Sequence, residues 1–214
     1  MEYIINILPE LLLGLKSTLV IFILTIITSL PLGILVSIAR INQIRLLQKV
    51  CEIYIMMMRG TPLLLQIITI YYGLASIGIV FDRLTAVLIA FILNYTAYFA
   101  EIFRGGIQSI ELGQSEASFV LGISKFHHFR FIVLPQVIKR TITAISNEII
   151  TLVKDTSLIY VVGIGEIIHA AKNASNRDAT ITPFLIAGII FLVVCYVLQK
   201  LLLQIERRYK YYEV

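Results

Sequence analysis

Glu111-Leu-Gly-Gln-Ser-Glu-Ala-Ser-Phe-Val-Leu-Gly122, followed by Ile132-Val-Leu-Pro135, is a polar stretch set between apolar spans in a chain of 214 residues. It holds good helix formers and no proline, and it ends on a glycine, which tolerates the left-handed backbone of a helix stop. On that helix Glu116 is flanked by Phe119 and Val120, an amphipathic knob on an otherwise apolar body. A chain this apolar gains nothing from such a loop unless the loop docks onto something. Spacing alone leaves two surfaces open to it, lipid headgroups or a protein partner.

The remainder reads as an integral membrane protein. Apolar residues make up 58% of the chain and charged residues 14%, with a mean hydropathy of +0.91. That leaves too little polar surface to coat a soluble globule. A span needs roughly 20 mostly apolar residues, and five are expected, at about 11–39, 60–81, 84–103, 136–160 and 183–205. The fold class is therefore all-α integral membrane, one domain over 1–214, with the 111–124 helix between the third and fourth spans. The start, Met1-Glu2-Tyr3, has no basic region and no small-residue cleavage site follows it, so no segment is expected to be removed.

Lys and Arg resist translocation, so their distribution sets orientation. Arg40, Arg45, Lys49, Arg59, Arg104, Lys125, Arg130, Lys139 and Arg140 share one side with Arg207, Arg208 and Lys210, against Arg83, Lys172 and Arg177 opposite. The C-terminus and the 111–124 helix are thus expected in the cytoplasm and the N-terminus outside. Topology accounts for the net charge of +5, and no nucleic-acid partner is implied.

Pro31 and Gly33 offer a bend in the first span, and Lys16 is placed to snorkel. Arg59-Gly-Thr-Pro62 reads as a stop and a restart, with Pro62 in the first turn of a new helix. Residues 161–182 read as a short outer or re-entrant helix. Tyr209, Tyr211 and Tyr212 with Arg207 and Arg208 form an interfacial anchor. Cys51, in a short connection, and Cys195 are read as structural. His127, His128 and His169 lack metal-ligand spacing.

Ionisable residues inside spans cost about 2.5 to 3.5 kcal/mol each on insertion scales and are functional candidates for that reason. Asn94, Tyr98 and Glu101 fall on one face of the third span, and Glu148, Thr151 and Asp155 on one face of the fourth. Facing one cavity, they would cradle an ammonium group or a cationic side chain. The competing arrangement pairs Glu101 with Arg104 and spends Glu148 or Asp155 on a neighbouring subunit.

The pattern Glu116-Ala117-Ser118, three residues, Gly122, nine residues, Ile132-x-Leu134-Pro135 resembles the EAA loop of ABC importer permeases, with Ser118 replacing the second alanine. Arg59-Gly-Thr-Pro-Leu63, Ala97-Tyr-Phe-Ala-Glu101-Ile-Phe-Arg104-Gly-Gly and Lys154-Asp155-Thr-Ser-Leu158 are similar to the polar amino-acid branch, so the likeness runs over about 15–205. It implies a type I ABC importer permease-like fold in a bacterial inner (plasma) membrane. The 111–124 segment would be the coupling helix, with Glu111, Gln114, Ser115, Glu116, Ala117, Ser118 and Gly122 meeting the ATPase. The implied partners are a cytosolic ABC ATPase dimer, a second permease subunit, identical or similar, and an extracytoplasmic solute-binding protein, with an amino acid as substrate. No G-x-x-x-x-G-K-[ST] loop is present, so the chain is not an enzyme and binds no cofactor of its own, ATP and Mg belonging to the partner. Three acids in the stripes favour arginine, lysine or histidine as cargo. The alternative from another class is a passive channel or ion-driven carrier, which leaves the long docking loop without a purpose.

Overall fold

Phe91, Tyr95, Phe99 and Phe103 recur every fourth residue along one helix and are all buried, so this stripe is the axis around which the bundle packs. The protein, described here by a computed structural model covering residues 2–210, is all-helical over that range. In chain order the helices are α1 (Glu2–Arg40), α2 (Arg45–Gly60), α3 (Leu63–Ile68), α4 (Leu74–Ser76), α5 (Arg83–Gln108), α6 (Leu112–Val120), α7 (Lys125–His127), α8 (Leu134–Asp155), α9 (Ile167–Asp178) and α10 (Thr182–Lys210). A π-turn, Thr69–Gly73, joins α3 to α4, and another, His128–Val133, leads into α8. A 3₁₀ turn, Thr156–Val162, continues α8.

Three helices, α1, α5 and α10, are long and apolar enough to cross a membrane among the described residues. Their surroundings differ. α5 has 61% of its most apolar window buried, against 28% for α1 and 17% for α10, so the outer two present leucine and isoleucine to lipid while α5 is enclosed by protein. α1 spans 39 residues, about 58 Å at 1.5 Å per residue, nearly twice a hydrocarbon core of about 30 Å.

The second expected span, 60–81, takes a different form. The chain first runs as α2, an amphipathic helix that holds Cys51, and then turns by 105° into the Leu63–Ser76 stretch. Cys51 is therefore helical and not in a short connection. The expected 136–160 span is α8 plus its 3₁₀ turn, and Lys139, Arg140, Glu148, Lys154 and Asp155 keep it less apolar than the other long helices. Tyr211 and Tyr212 of the expected anchor lie outside the described residues; Tyr209 is exposed.

Glycine sets the closest crossings. A Cβ on Gly33 would meet the Phe99 Cβ at 2.7 Å, and one on Gly106 would meet Val137 at 2.9 Å and Thr141 at 2.5 Å. Gly33, expected at a bend, is thus the point where α1 closes onto α5, and α1 continues as helix through Pro31.

At the end opposite α6, Ile7, Leu11, Ile167, Ala171 and Ala187 pack α1, α9 and α10 together. Tyr3 donates to Asp178 at 2.8 Å, and Arg177 bridges Glu10 at 3.2 Å and Asp178 at 3.0 Å. Glu166, in the connection between α8 and α10, is wholly enclosed, and its carboxylate accepts from the Ile168 and His169 amides at the start of α9. Burial pushes this carboxyl up from 4.5 to about 7 despite those two bonds.

Two outcomes follow from these contacts. Gly106→Val drives a side chain into α8 and is expected to reduce the monodisperse yield on size-exclusion chromatography severalfold, with Gly60→Ala, in open space, as the harmless control. Because the folded carboxyl titrates above the unfolded one, the contribution of neutral Glu166 is complete below about pH 4.5 and is lost as pH rises through about 7. Thermal unfolding in detergent should therefore occur at lower temperature at pH 8 than at pH 6, and Glu166→Gln should flatten that difference.

Candidate functional site

Polar residues from three elements meet midway along the bundle around an open cavity of about 520 Å³. The break between α2 and α3 contributes Arg59 to Leu63, α5 contributes Asn94, Tyr95 and Tyr98, and α8 contributes Glu148, Thr151 and Asp155. Five of the six residues expected from the two stripes line it. Helical periodicity explains this, since positions 94 and 98, and 148, 151 and 155, each rise along one face.

The break is held by amides. The Gln66 Nε2 donates to the Met58 carbonyl at 2.9 Å, the Thr61 carbonyl at 3.2 Å and the Thr61 hydroxyl at 2.8 Å. The Asn94 Nδ2 adds bonds to the Met58 carbonyl at 2.9 Å and to the Gln66 Oε1 at 3.1 Å. Asn94 lines the cavity, yet its Nδ2 is spent on the Met58 carbonyl and the Gln66 side chain. Pro62 itself precedes the first turn of α3 with an extended backbone, where its missing N–H costs nothing.

Glu101 is placed elsewhere. Its carboxylate takes a fork from Arg104, Nε to Oε1 at 2.9 Å and Nη2 to Oε2 at 2.7 Å, with the Arg59 Nη1 3.7 Å from the same Oε2. The pairing with Arg104 prevails, and Glu101 does not line the cavity. Its effect on the cavity passes through Arg59, whose guanidinium is thereby held over the Tyr98 ring at 5.2 Å.

Arg59 and Tyr95 are cavity residues that periodicity did not find. Tyr95 donates its hydroxyl to Asp155 at 2.7 Å from within the aromatic stripe. For Arg59 the signal was available: a stop and restart inside an apolar region exposes backbone at membrane depth, which is tolerated where a cavity is lined. Glu148 has no hydrogen-bond or ion-pair partner among the described residues and faces the cavity. The arrangement thus offers two carboxylates and one guanidinium to a guest.

The second candidate region is α6 and its flanks. Glu111 precedes the helix with an extended backbone and no side-chain cap. Gly122 has φ of 70°, the Gly122 amide donates to the Phe119 carbonyl at 3.0 Å, and that of Ile123 to the Ser118 carbonyl at 2.9 Å. This is the paired closure that a left-handed glycine permits. The helix has two unlike faces. Leu112, Glu116, Phe119 and Val120 are exposed, the last two at 85% and 83%, and Ala117 is also open. Gln114, Ser115 and Ser118 turn back to the chain itself, Gln114 to Gln136 and both serines to His128. The expected contact residues therefore divide: Glu116 and Ala117 sit on the open face, Ser115 is exposed beside its bond to His128, Gln114 is half-buried and Ser118 is buried.

Residues 29–211 match the family described as binding-protein-dependent transport system inner membrane component. The arginine transport system permease protein ArtQ of Bacillus subtilis (strain 168) is 36% identical over 204 residues, covering 94% of this chain and 93% of its own. The nopaline transport system permease protein NocM of Agrobacterium fabrum (strain C58 / ATCC 33970) is 33% identical, covering 96% and 90%. Among solved structures, an amino acid ABC transporter crystallised with histidines superposes with a TM-score of 0.88 at 31% identity, over 96% of this chain and 97% of that one.

Gln66→Leu removes the side-chain donor of the Thr61 carbonyl and the Gln66 Oε1 that accepts from Asn94, while Asn94 still serves the Met58 carbonyl, a loss of about 1–3 kcal/mol. Its melting temperature in detergent is expected to fall by several degrees, whereas Thr151→Val, at the cavity wall, should leave melting close to that of the parent.

Proposed function

We propose that this chain, which belongs to the family of binding-protein-dependent transport system inner membrane components and is the permease subunit of an amino-acid ABC importer, passes cationic amino acids through the mid-bundle cavity. The observation that carries this reading is the charge set at that cavity: Glu148, Asp155 and Arg59. Two carboxylates and one guanidinium sum to one negative charge. An arginine or lysine guest carries two cationic groups and one carboxylate, so every charge finds a partner of opposite sign. A zwitterion such as glutamine would leave one carboxylate unmatched. The names of the arginine and nopaline permeases support a guest of this kind, as does the histidine-bearing structure.

Energy would come from a separate ATPase in the cytoplasm, gripping the open face of α6. Leu112, Phe119 and Val120 supply apolar contact around Glu116, and Gly122 ends the helix so that this face stands clear. Two permease chains, two ATPase subunits and an outer binding protein complete the assembly in this reading, with the N-terminus outside. Closure of the ATPase pair would move the α6 helices together and open the cavity outward; hydrolysis would reverse it.

Uptake of labelled arginine, lysine, histidine and glutamine into vesicles holding the assembled transporter tests the proposal. Glu148→Gln and Asp155→Asn should each raise the half-saturating arginine concentration tenfold or more, about 1.4 kcal/mol per tenfold, with smaller effects on any glutamine uptake. Equal losses for both cargoes would refute the charge-matching reading. Glu116→Lys should abolish uptake while the chain still inserts in the membrane and purifies; full uptake would remove α6 from the docking role.

A further inference from the structure

We propose that Gln114 and Gln136 form the joint through which movement of α6 reaches the cavity, so that both are positioning residues of transport and not contacts of the ATPase. This rests on the reading that an ATPase grips the open face of α6, and it adds where the displacement goes next.

Without a joint the covalent path from α6 to α8 would be a poor transmitter. After Gly122 the chain passes through the three-residue α7 and then the π-turn His128–Val133. The π-turn departs from the regular i→i−4 ladder, and the stretch from Leu121 to Ser124 between α6 and α7 is not helical, so the covalent path is not one rigid rod. The side chains bypass that route. The Gln136 Nε2 donates to the Gln114 Oε1 at 2.7 Å, and the Gln114 Nε2 returns a bond to the Gln136 Oε1 at 3.2 Å. Two opposed bonds between planar amides fix orientation as well as distance. The Gln136 Nε2 also donates to the Ile132 carbonyl at 2.8 Å, which pins its side chain to the entry of α8.

A second tie supports the first. The Ser118 hydroxyl donates to the Gln114 carbonyl at 2.8 Å, so its oxygen is left to accept from the His128 Nδ1 at 2.8 Å. The His128 Nε2 lies 3.2 Å from the Ser115 hydroxyl, within hydrogen-bond reach. His128 thus fastens the inner face of α6 to the start of the π-turn while Gln136 fastens it beyond the turn's end.

From Gln136 the path is stiff. α8 is one helix to Asp155, which places Glu148 about 18 Å and Asp155 about 28 Å further along at 1.5 Å per residue. A shift of the Gln114–Gln136 pair therefore carries the two cavity carboxylates with it. Arg59 and Tyr98 stand on other elements, so the charge pattern around a guest would change as α8 moves.

The test uses the complete transporter, this chain with its ATPase and binding protein in proteoliposomes, supplied with an equimolar mixture of labelled lysine, arginine, histidine and glutamine. Uptake per ATP hydrolysed is the readout, alongside the amount of ATPase that co-purifies. Gln136→Leu is expected to retain the ATPase at parental stoichiometry and hydrolysis within about twofold, while uptake per ATP falls tenfold or more. Gln114→Glu and Gln136→Lys should each behave likewise. Combined, they restore a link of the same reach through an ion pair, and uptake per ATP should return to within about threefold of the parent. Unchanged uptake per ATP in Gln136→Leu would overturn the joint, as would a combined variant no better than its singles. Loss of the ATPase from Gln136→Leu would overturn it too, since the amide pair would then only shape α6 for docking. An ATPase that fails to associate with the unaltered chain removes the docking reading and the joint with it, an outcome seen before any variant is made.

Discussion

A backbone carbonyl without a donor in a water-poor interior costs several kcal/mol, and the break between α2 and α3 frees those of Met58 and Thr61 beside the middle of α5. The side-chain amides of Gln66 and Asn94 satisfy them. This small network holds a 105° turn beside α5, and the turn delivers Arg59 to the cavity. Asn94 belongs to α5 and Gln66 to α3, so the same bonds that satisfy the break also fix the two elements against each other. The cavity wall exists because the break is satisfied from both sides.

Once Arg59 is in place, the surrounding charges take distinct roles. Glu101, shared between Arg104 and Arg59, restrains the guanidinium from outside the cavity. Tyr95 restrains Asp155 through its hydroxyl, and Tyr95 is itself locked in the aromatic stripe of α5. Of the three groups offered to a guest, Arg59 and Asp155 are thus held by neighbours, and Glu148 is the one left to the guest. Close crossings at Gly33 and Gly106 bring α1 and α8 against α5 tightly enough for these short side-chain reaches to work. α8 is common to both candidate regions, meeting α6 at Gln136 near its first turn and the cavity at Glu148 and Asp155.

Much of this was legible from residue order. The stripe of positions 148, 151 and 155 follows from 3.6 residues per turn whatever surrounds the helix, and Gly122 could be read as a left-handed stop because few other residues tolerate that backbone. The apolar character of α1, α5 and α10 was an equally local property, whereas α6, expected over 111–124, is the shorter Leu112–Val120 because the left-handed Gly122 turns the chain. α2 is amphipathic and short of charge-free length, so apolar runs do not reveal the helix that holds Cys51. Glu101 was grouped with Asn94 and Tyr98 because spacing reports a shared face and is silent on which neighbour stands opposite.

Residue order by itself determined that the chain is helical, that it resides in a membrane, which faces of α5 and α8 are polar, and that a glycine stops α6, since each depends on composition or on periodicity within one segment. Only tertiary structure decided that Glu101 pairs with Arg104 and Arg59, that Tyr95 holds Asp155, that Gly33 marks a crossing, and that the inner face of α6 is tied to Gln136 and His128. Those outcomes depend on which of several chemically equivalent partners lies within about 3 Å, and that distance is set by how helices remote in sequence pack together.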